Sequence, residues 1–351
     1  MKVLLTGHRG YIGTVLTRRL LERGHDLVGL DSNLFEDCFF LPETAEIPSI
    51  GGDIREFVLD PFAADKLRGL DAIIHLAGLS NDPLGDYRPG LTQEINSKAS
   101  IDLARLAKAA GVHRFIYASS CSNYGASGDG FIDEGGALNP VTPYGVSKVE
   151  AEISIEAYAD ESFSPTFLRA STAYGLSPML RFDLVVNNLT AWACTTGEVH
   201  LKSDGSAWRP IVHVEDIALA YVASLEADRS EVHCEVFNVG QTSENYQIRE
   251  IAEIVRDVVP NSRIGFSAGA SPDVRNYRVD CNHIARKLHN FKPQWTCRRG
   301  VEQLYDAFVS SGLTLEDFEG PRFKRIAHMK QRIAQGTVGE DLFPVRQMVA
   351  A

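Results

Sequence analysis

Three glycines at three-residue spacing constrain the fold of this chain more than any other feature. Gly7, Gly10 and Gly13 follow an apolar segment at residues 3–5 and open a stretch with helical periodicity at residues 11–21. Such glycines allow a tight turn and let a pyrophosphate approach the N–H groups at the start of the helix. A second apolar segment, residues 27–30, ends at Asp31. A carboxylate there accepts hydrogen bonds from ribose hydroxyls and repels a 2′-phosphate, which favours NAD over NADP.

Apolar strand patterns alternate with helical patterns as far as about residue 170. Further strands are predicted at 71–76, 113–118 and 164–170, and helices at 91–111 and 144–160. This alternation predicts an α/β fold, a doubly wound parallel sheet of the Rossmann type. The pattern changes past residue 175, where we predict a helix at 180–196, a strand and helix at 211–227, and a helix at 247–258.

Charge and composition exclude several classes of partner. The net charge of −11 disfavours nucleic acid and anionic membranes. No apolar run approaches the roughly 18 residues of a membrane span. The six cysteines are far apart, without a C-x-x-C pair, so neither a metal site nor a disulfide framework is indicated. We therefore expect a reduced, cytoplasmic protein.

Tyr144, Lys148 and Ser120 form the set of side chains with the clearest chemical meaning. Tyr144 and Lys148 lie one helical turn apart in TPYGVSK, and Ser120 precedes them in SSCSNYG. A free tyrosine titrates near pH 10, roughly, so it is a poor base until a nearby cation favours its phenolate. Lysine on the same helix face can supply that charge, and a serine hydroxyl can orient an alcohol oxygen. The trio predicts proton transfer at an alcohol beside a nicotinamide.

These motifs together resemble the extended short-chain dehydrogenase/reductase family, in its nucleotide-sugar epimerase/dehydratase branch of UDP-glucose 4-epimerase-like enzymes. The resemblance is carried by TGHRGYIG, Asp31, GDIR, HLAG, SSCSNYG, YGVSK, WRPIVHVED and FNVG, in the family's order, from residue 1 to about 310. It implies an NAD-binding Rossmann domain (1–175), a smaller α/β domain for the sugar nucleotide (176–312, with segments returning to the large sheet) and a C-terminal extension (313–351). The extension carries five basic residues between Arg322 and Arg332. We expect it to form a helix packed on the body, with an oligomer contact or a site for an acidic partner as the alternative.

The resemblance also implies roles for individual residues. The expected cofactor-binding residues are Gly7, Gly10, Tyr11, Ile12, Gly13, Asp31, Asp53, Ile54, Leu76, Ala77, Asn96, Tyr144 and Lys148. The expected substrate-binding residues are Ser80, Asn81, Thr172, Asn188, Arg209, Arg275 and Tyr277. Arg209 matches the arginine that grips the substrate diphosphate. Two departures occur: Thr172 stands where the 4-epimerases have asparagine, and Ala270 replaces a second diphosphate arginine, a role Arg275 could take over.

The residues after Ser120 discriminate between reactions of the branch. Its 4,6-dehydratases carry Asp and Glu there as acid and base, whereas this chain has Cys121 and Ser122. The favoured prediction is an NAD-dependent epimerase acting on a nucleotide-diphosphate sugar through a 4-keto intermediate. A 4-ketoreductase, or an atypical dehydratase using Cys121, is the alternative. An NAD-binding sensor without turnover is a remote alternative. Relatives of that kind lack the tyrosine or the lysine, whereas this chain has both.

Assembly is the last expectation from the resemblance. Family members dimerise through the helix after the fourth strand and the helix of the catalytic tyrosine. Here the first carries Ile95, Ala99, Leu103 and Leu106, and the second Val149, Ile153 and Ala157, at helical spacings. We predict a homodimer in which part of each stripe belongs to the core of its own chain.

Overall fold

The computed structural model describes residues 1–42, 45–80, 82–126, 130–271 and 276–345, with the backbone alone at 82–84 and 268–271. In chain order the strands are β1 (Lys2–Thr6), β2 (Asp26–Asp31), β3 (Ser49–Gly51), β4 (Ala72–His75), β5 (Arg114–Ser120), β6 (Phe131–Ile132), β7 (Ser164–Ala170), β8 (Thr172–Tyr174), β9 (Glu198–Ser203), β10 (Trp208–His213), β11 (Val236–Val239), β12 (Asn245–Gln247), β13 (Arg263–Ser271) and β14 (Arg278–Val279).

The helices alternate with these strands over the first half of the chain. They are α1 (Tyr11–Glu22), α2 (Ile54–Leu59), α3 (Ala63–Leu67), α4 (Asp82–Tyr87), α5 (Pro89–Thr92), α6 (Ala99–Ala109), α7 (Pro143–Glu156), α8 (Val185–Thr196), α9 (Val214–Glu226), α10 (Arg229–Val232), α11 (Ile248–Val258), α12 (Asn282–Lys287), α13 (Cys297–Ser311), α14 (Leu315–Glu319) and α15 (Arg325–Ala334). A π-helical turn, Gln93–Lys98, precedes α6, and a 3-10 turn, Cys121–Tyr124, follows β5.

The central sheet is parallel and has the strand order β11-β7-β5-β4-β1-β2-β3. The inner strands β1, β4, β5 and β7 are largely buried on both faces, as the continuous apolar segments require. Val3 and Leu5 of β1 pack into one hydrophobic cluster, and Leu4 packs into the cluster on the other face. The doubly wound Rossmann-type sheet is therefore confirmed.

The carboxyl-terminal half adds small sheets and also returns to the large one. Strand β10 pairs with β8 and β12, β13 with β9, and β14 with β6. Strand β11 joins the edge of the central sheet beside β7. One apolar cluster runs from Val3 to Phe323, across the boundary expected at residue 175. The division into domains stays a prediction.

The extension after residue 312 packs on the body of the protein. Phe318 and Phe323 are buried in one face cluster, and Met329, Val338 and Leu342 in the other. Its basic side chains also bind the segment that follows β2. Among the helices of the described ranges, none has the length and apolarity needed to span a bilayer.

Candidate active site

A cavity of about 980 Å³ opens along the carboxyl ends of β1, β2, β4 and β5. Ligands of such sheets bind at this edge. It contains most of the site residues expected from the sequence: Gly7, Gly10, Tyr11, Ile12, Gly13, Asp31, Asp53, Ile54, Leu76, Ala77, Ser80, Ser120, Tyr144, Lys148, Thr172, Asn188, Arg209 and Tyr277. Asn96 and Cys121 are not among its lining residues. Asn81 and Arg275 lie outside the described residues.

The glycine turn between β1 and α1 has the shape that a pyrophosphate needs. Gly7 has a φ of +71°, and a Cβ on Gly13 would come within 2.1 Å of the Gly7 carbonyl oxygen. Gly10 caps α1 without a side-chain hydrogen bond, so the first N–H groups of the helix face the cavity free of a competing side chain. The turn therefore fits the phosphates of a dinucleotide.

Two carboxylates line the part of the cavity beyond this turn. Asp31 ends β2 and accepts hydrogen bonds from the backbone N–H groups of Arg9 (3.0 Å) and Asn33 (2.9 Å). These bonds hold the carboxylate at the position where we expect it to accept hydrogen bonds from a ribose. Asp53 caps α2, and its two oxygens each accept a 2.9 Å bond from the Arg55 guanidinium. Asp53 is thus ion-paired as well as exposed to the cavity.

Tyr11 and Asn96 hold the walls of the cofactor end in place. The ring of Tyr11 is buried, and its hydroxyl donates to the Gly175 carbonyl oxygen at 2.7 Å. Asn96 is fully buried and exchanges two hydrogen bonds with the backbone of Leu79, at 2.7 and 3.0 Å. The Asn96 side chain therefore fixes the segment after β4.

The proton-transfer residues meet where β5 ends and α7 begins. Ser120 and Tyr144 line the cavity, and Ser122 donates to the Ser120 hydroxyl at 2.8 Å. The Lys148 ammonium lies 5.8 Å from the centre of the Tyr144 ring and 4.7 Å from that of Tyr117. Burial lowers the pKa of Lys148 from its ordinary 10.5 to about 8. The arrangement can move a proton on and off a substrate hydroxyl.

Cys121 faces away from this chemistry. Its side chain is fully buried in a small cluster with Tyr124, Val279 and Cys281. The thiol donates to the Arg169 carbonyl oxygen at 3.1 Å, and burial raises its pKa well above the ordinary value. The geometry therefore offers no support for a catalytic Cys121, because an acid or base must reach the reacting atoms and this thiol does not line the cavity.

The far end of the cavity carries the expected substrate residues. Arg209 is buried, donates to the Trp208 carbonyl oxygen at 2.8 Å and lies 5.8 Å from the centre of the Tyr277 ring. Asn188 donates to the Phe182 carbonyl oxygen, and Thr172 begins β8. A guanidinium and polar side chains at a concave surface suit a diphosphate.

Arg9, Arg181 and Arg325 line the cavity although the sequence did not predict them as site residues. Arg181 donates to the hydroxyl and carbonyl oxygens of Ser80, at 3.0 and 3.1 Å, and forms an ion pair with Asp183. Arg325, in the C-terminal extension, also lines the cavity. No motif signals Arg181, and Arg325 lies within a basic run typical of a solvated helix. Ser122 lies in the SSCSNYG motif, but the sequence indicated only that it stands where the dehydratases have a carboxylate.

Comparisons with known proteins agree with this geometry. The model of the family described as NAD dependent epimerase/dehydratase matches residues 3–240. The UDP-glucose 4-epimerase of Pongo abelii is 30% identical over 86% of this chain and 94% of its own length. That of Corynebacterium glutamicum is 27% identical over 74% of this chain and 80% of its own length. The solved structure of MoeE5 in complex with UDP-glucuronic acid and NAD is 27% identical, with a TM-score of 0.75, covering 89% of this chain and all of that one.

Proposed function

Because the chain belongs to the NAD-dependent epimerase/dehydratase family and is an enzyme that uses NAD on sugar nucleotides, we propose that it is a nucleotide-diphosphate-sugar 4-epimerase. One observation carries the choice of reaction: Ser120, Tyr144 and Lys148 share the cavity, whereas neither position after Ser120 offers a carboxylate. An epimerase needs this trio and no additional acid. The relatives named as UDP-glucose 4-epimerase support the same reaction.

In the proposed mechanism Tyr144 is the base and acid for the sugar 4-hydroxyl. Its phenolate takes the hydroxyl proton and later returns it, and the Lys148 ammonium favours the phenolate. Ser120, which accepts hydrogen bonds from Ser122, binds the same sugar oxygen. When bound, NAD supplies the acceptor and then the donor of the C4 hydride. The sugar exposes its other face between these two events.

We propose that the far end of the cavity binds the nucleotide diphosphate. Arg209 would pair with phosphate oxygens, and Asn188, Thr172 and Tyr277 would contact the nucleotide or the sugar. Arg275 and Asn81 remain candidates for the same surface. The smaller carboxyl-terminal domain is thus proposed as the sugar-nucleotide domain.

Assembly and location are part of the proposal. A homodimer through α7 is supported by the exposed side chains of Val146 and Ile153 on that helix. A cytoplasmic location is supported by the six cysteines, all of which are free thiols.

A panel of UDP-, dTDP-, GDP- and CDP-sugars tests the proposed reaction. We expect one substrate to interconvert with its 4-epimer without net change in NADH absorbance, and NAD to be released when the purified protein is denatured. Stoichiometric consumption of NADH would identify a ketoreductase. Loss of water from the sugar would identify a dehydratase. Binding of the whole panel without turnover would identify a sensor.

Tyr144→Phe is the decisive variant for this mechanism. Loss of the phenol should reduce turnover by at least about 100-fold, since general acid–base catalysis contributes that much. The amount of NAD bound by the purified variant should stay unchanged. Near-normal turnover would remove Tyr144 from the mechanism. Loss of bound NAD would show that the substitution disturbs the structure of the cofactor site.

A further inference from the structure

The C-terminal strap, residues 313–345, lies over the segment that follows Asp31. Arg322 donates to the carbonyl oxygens of Asp37 (2.9 Å) and Phe39 (2.6 Å). Arg332 donates to the carbonyl oxygen of Leu34 at 2.9 Å. Because both arginines bind backbone oxygens, the strap fixes the path of the segment that forms one wall of the cofactor end.

Arg325 is the strap residue that reaches the cavity itself. Its side chain lies over the Phe35 ring, with Cζ 4.1 Å from the ring centre, and only 7% of the residue is exposed. Its Nη1 is buried and has no hydrogen-bond partner within the described ranges. Burial lowers the pKa of Arg325 to about 10, so the guanidinium is still charged at neutral pH.

A buried charge without a hydrogen-bond partner is costly and calls for a counter-charge. The carboxylates that act on Arg325 electrostatically are Asp183 and Asp31. Asp31 already accepts bonds from two backbone N–H groups, and Asp183 is ion-paired with Arg181. An anionic ligand of the cavity would supply the counter-charge.

The position of Arg325 indicates which anion its guanidinium would bind. It lines the same cavity as the glycine turn, and it lies over Phe35, in the segment that follows Asp31. The diphosphate of the sugar nucleotide is proposed to lie at the other end, by Arg209. A 2′-phosphate is disfavoured by the charge of Asp31.

We propose that the Arg325 guanidinium binds the pyrophosphate of NAD, so that the C-terminal strap forms part of the cofactor site. The inference rests on NAD as the cofactor and not on which sugar reaction is catalysed. Guanidinium groups form paired, charge-assisted hydrogen bonds with phosphate oxygens, which suits this role.

Isothermal titration calorimetry on protein freed of dinucleotide tests the proposal. The titrants are NAD, ADP-ribose, ADP, adenosine and UDP, and the variants are Arg325→Met and Arg325→Lys. We expect Arg325→Met to weaken NAD, ADP-ribose and ADP by roughly ten- to a hundred-fold and to leave adenosine and UDP unchanged. Arg325→Lys should retain part of the affinity. The melting temperature of ligand-free Arg325→Met should equal or exceed that of the wild type, because a buried unpaired charge has been removed.

Arg322→Met is the matched control. It removes a strap arginine that binds the same wall but does not line the cavity. It should change ADP and adenosine affinity by the same factor. The proposal is overturned if Arg325→Met leaves ADP affinity intact, weakens adenosine as much as ADP, or weakens only UDP. Since no sugar nucleotide is turned over, the result stands whether or not the protein proves to be an epimerase.

Discussion

Lys148 is a residue whose proposed catalytic use costs stability. Its side chain is 4% exposed, and burial lowers its pKa from 10.5 to about 8. The folded state therefore binds fewer protons than the unfolded state between about pH 8 and 10.5. Stability contributed by this group rises with pH through that window and is lowest below it. At pH 7 the charged lysine costs about 3 kcal/mol.

Lys148→Met should therefore be a more stable but nearly inactive protein. We expect the free energy of unfolding to rise by up to about 3 kcal/mol at pH 7, and the gain to shrink between pH 8 and 10.5. Turnover should fall by roughly 100-fold or more. Urea denaturation of variant and wild type at several pH values checks this. A loss of stability that is the same at every pH would contradict it.

Cys121 provides the opposite case, a residue beside the proposed catalytic Ser120 that packs in a buried cluster. Cys121→Ala should keep turnover near the wild-type level, because the thiol does not line the cavity. Its melting temperature should fall by about 1–2 °C per kcal/mol of lost packing, because the unfolding entropy of a 351-residue chain is large. Cys281→Ala, in the same buried cluster, is the control. A tenfold loss of turnover at unchanged melting temperature would show that Cys121 takes part in the reaction.

At the scale of elements, a buried ion pair ties the catalytic helix to the sheet. Glu152 of α7 and Arg169 of β7 are 5% exposed each and meet at 2.7 Å. Ser119 and Asn123 also donate to Glu152, and Arg169 donates to the Tyr124 hydroxyl at 3.0 Å. The network joins α7 to the ends of β5 and β7, on either side of Ser120. It therefore helps to hold the helix of Tyr144 against the strand that ends at Ser120.

Glu152→Gln should show how strongly this network holds α7. It leaves Arg169 buried without its counter-ion, which costs about 3–5 kcal/mol. Removing both charges in Glu152→Gln/Arg169→Met should recover part of that loss. Denaturant titration of the single and double variants measures the coupling. Additive losses in the double variant would mean that the two charges do not stabilise each other.

The secondary-structure elements also show which parts of the site can be predicted from a sequence. The glycine turn, Asp31 and the Tyr144–Lys148 pair were predictable, because local spacing along one strand or helix fixes them. Arg181 and Arg325 were not, since tertiary packing alone brings them to the cavity. The helix predicted over 91–111 contains the π-helical turn Gln93–Lys98, which apolar periodicity does not distinguish from an α-helix.

At the scale of the whole molecule, the fold shows which part of each predicted stripe belongs to the protein's own core. Ile95, Ala99 and Leu103 are buried in the protein's own core, so they are not available to a partner. The helix α7 instead exposes Val146 and Ile153, with Ile153 at 62%. Ala157, one turn further along, is also exposed. Val146, Ile153 and Ala157 together form the apolar stripe of α7 that a second copy of the chain could cover.

Ile153→Asp tests whether that stripe forms the proposed homodimer. Wild-type protein at micromolar concentration should scatter light as twice the 38.6 kDa chain mass, because an apolar stripe is costly in water and a two-fold axis covers it with its own copy. A charge at its centre would be buried without a partner, so the variant should scatter as the single chain. Val309→Asp, at a 58% exposed position on α13, should leave the mass unchanged. A wild-type mass of 38.6 kDa, or dissociation by Val309→Asp alone, would place any interface elsewhere and leave the proton-transfer residues unaffected.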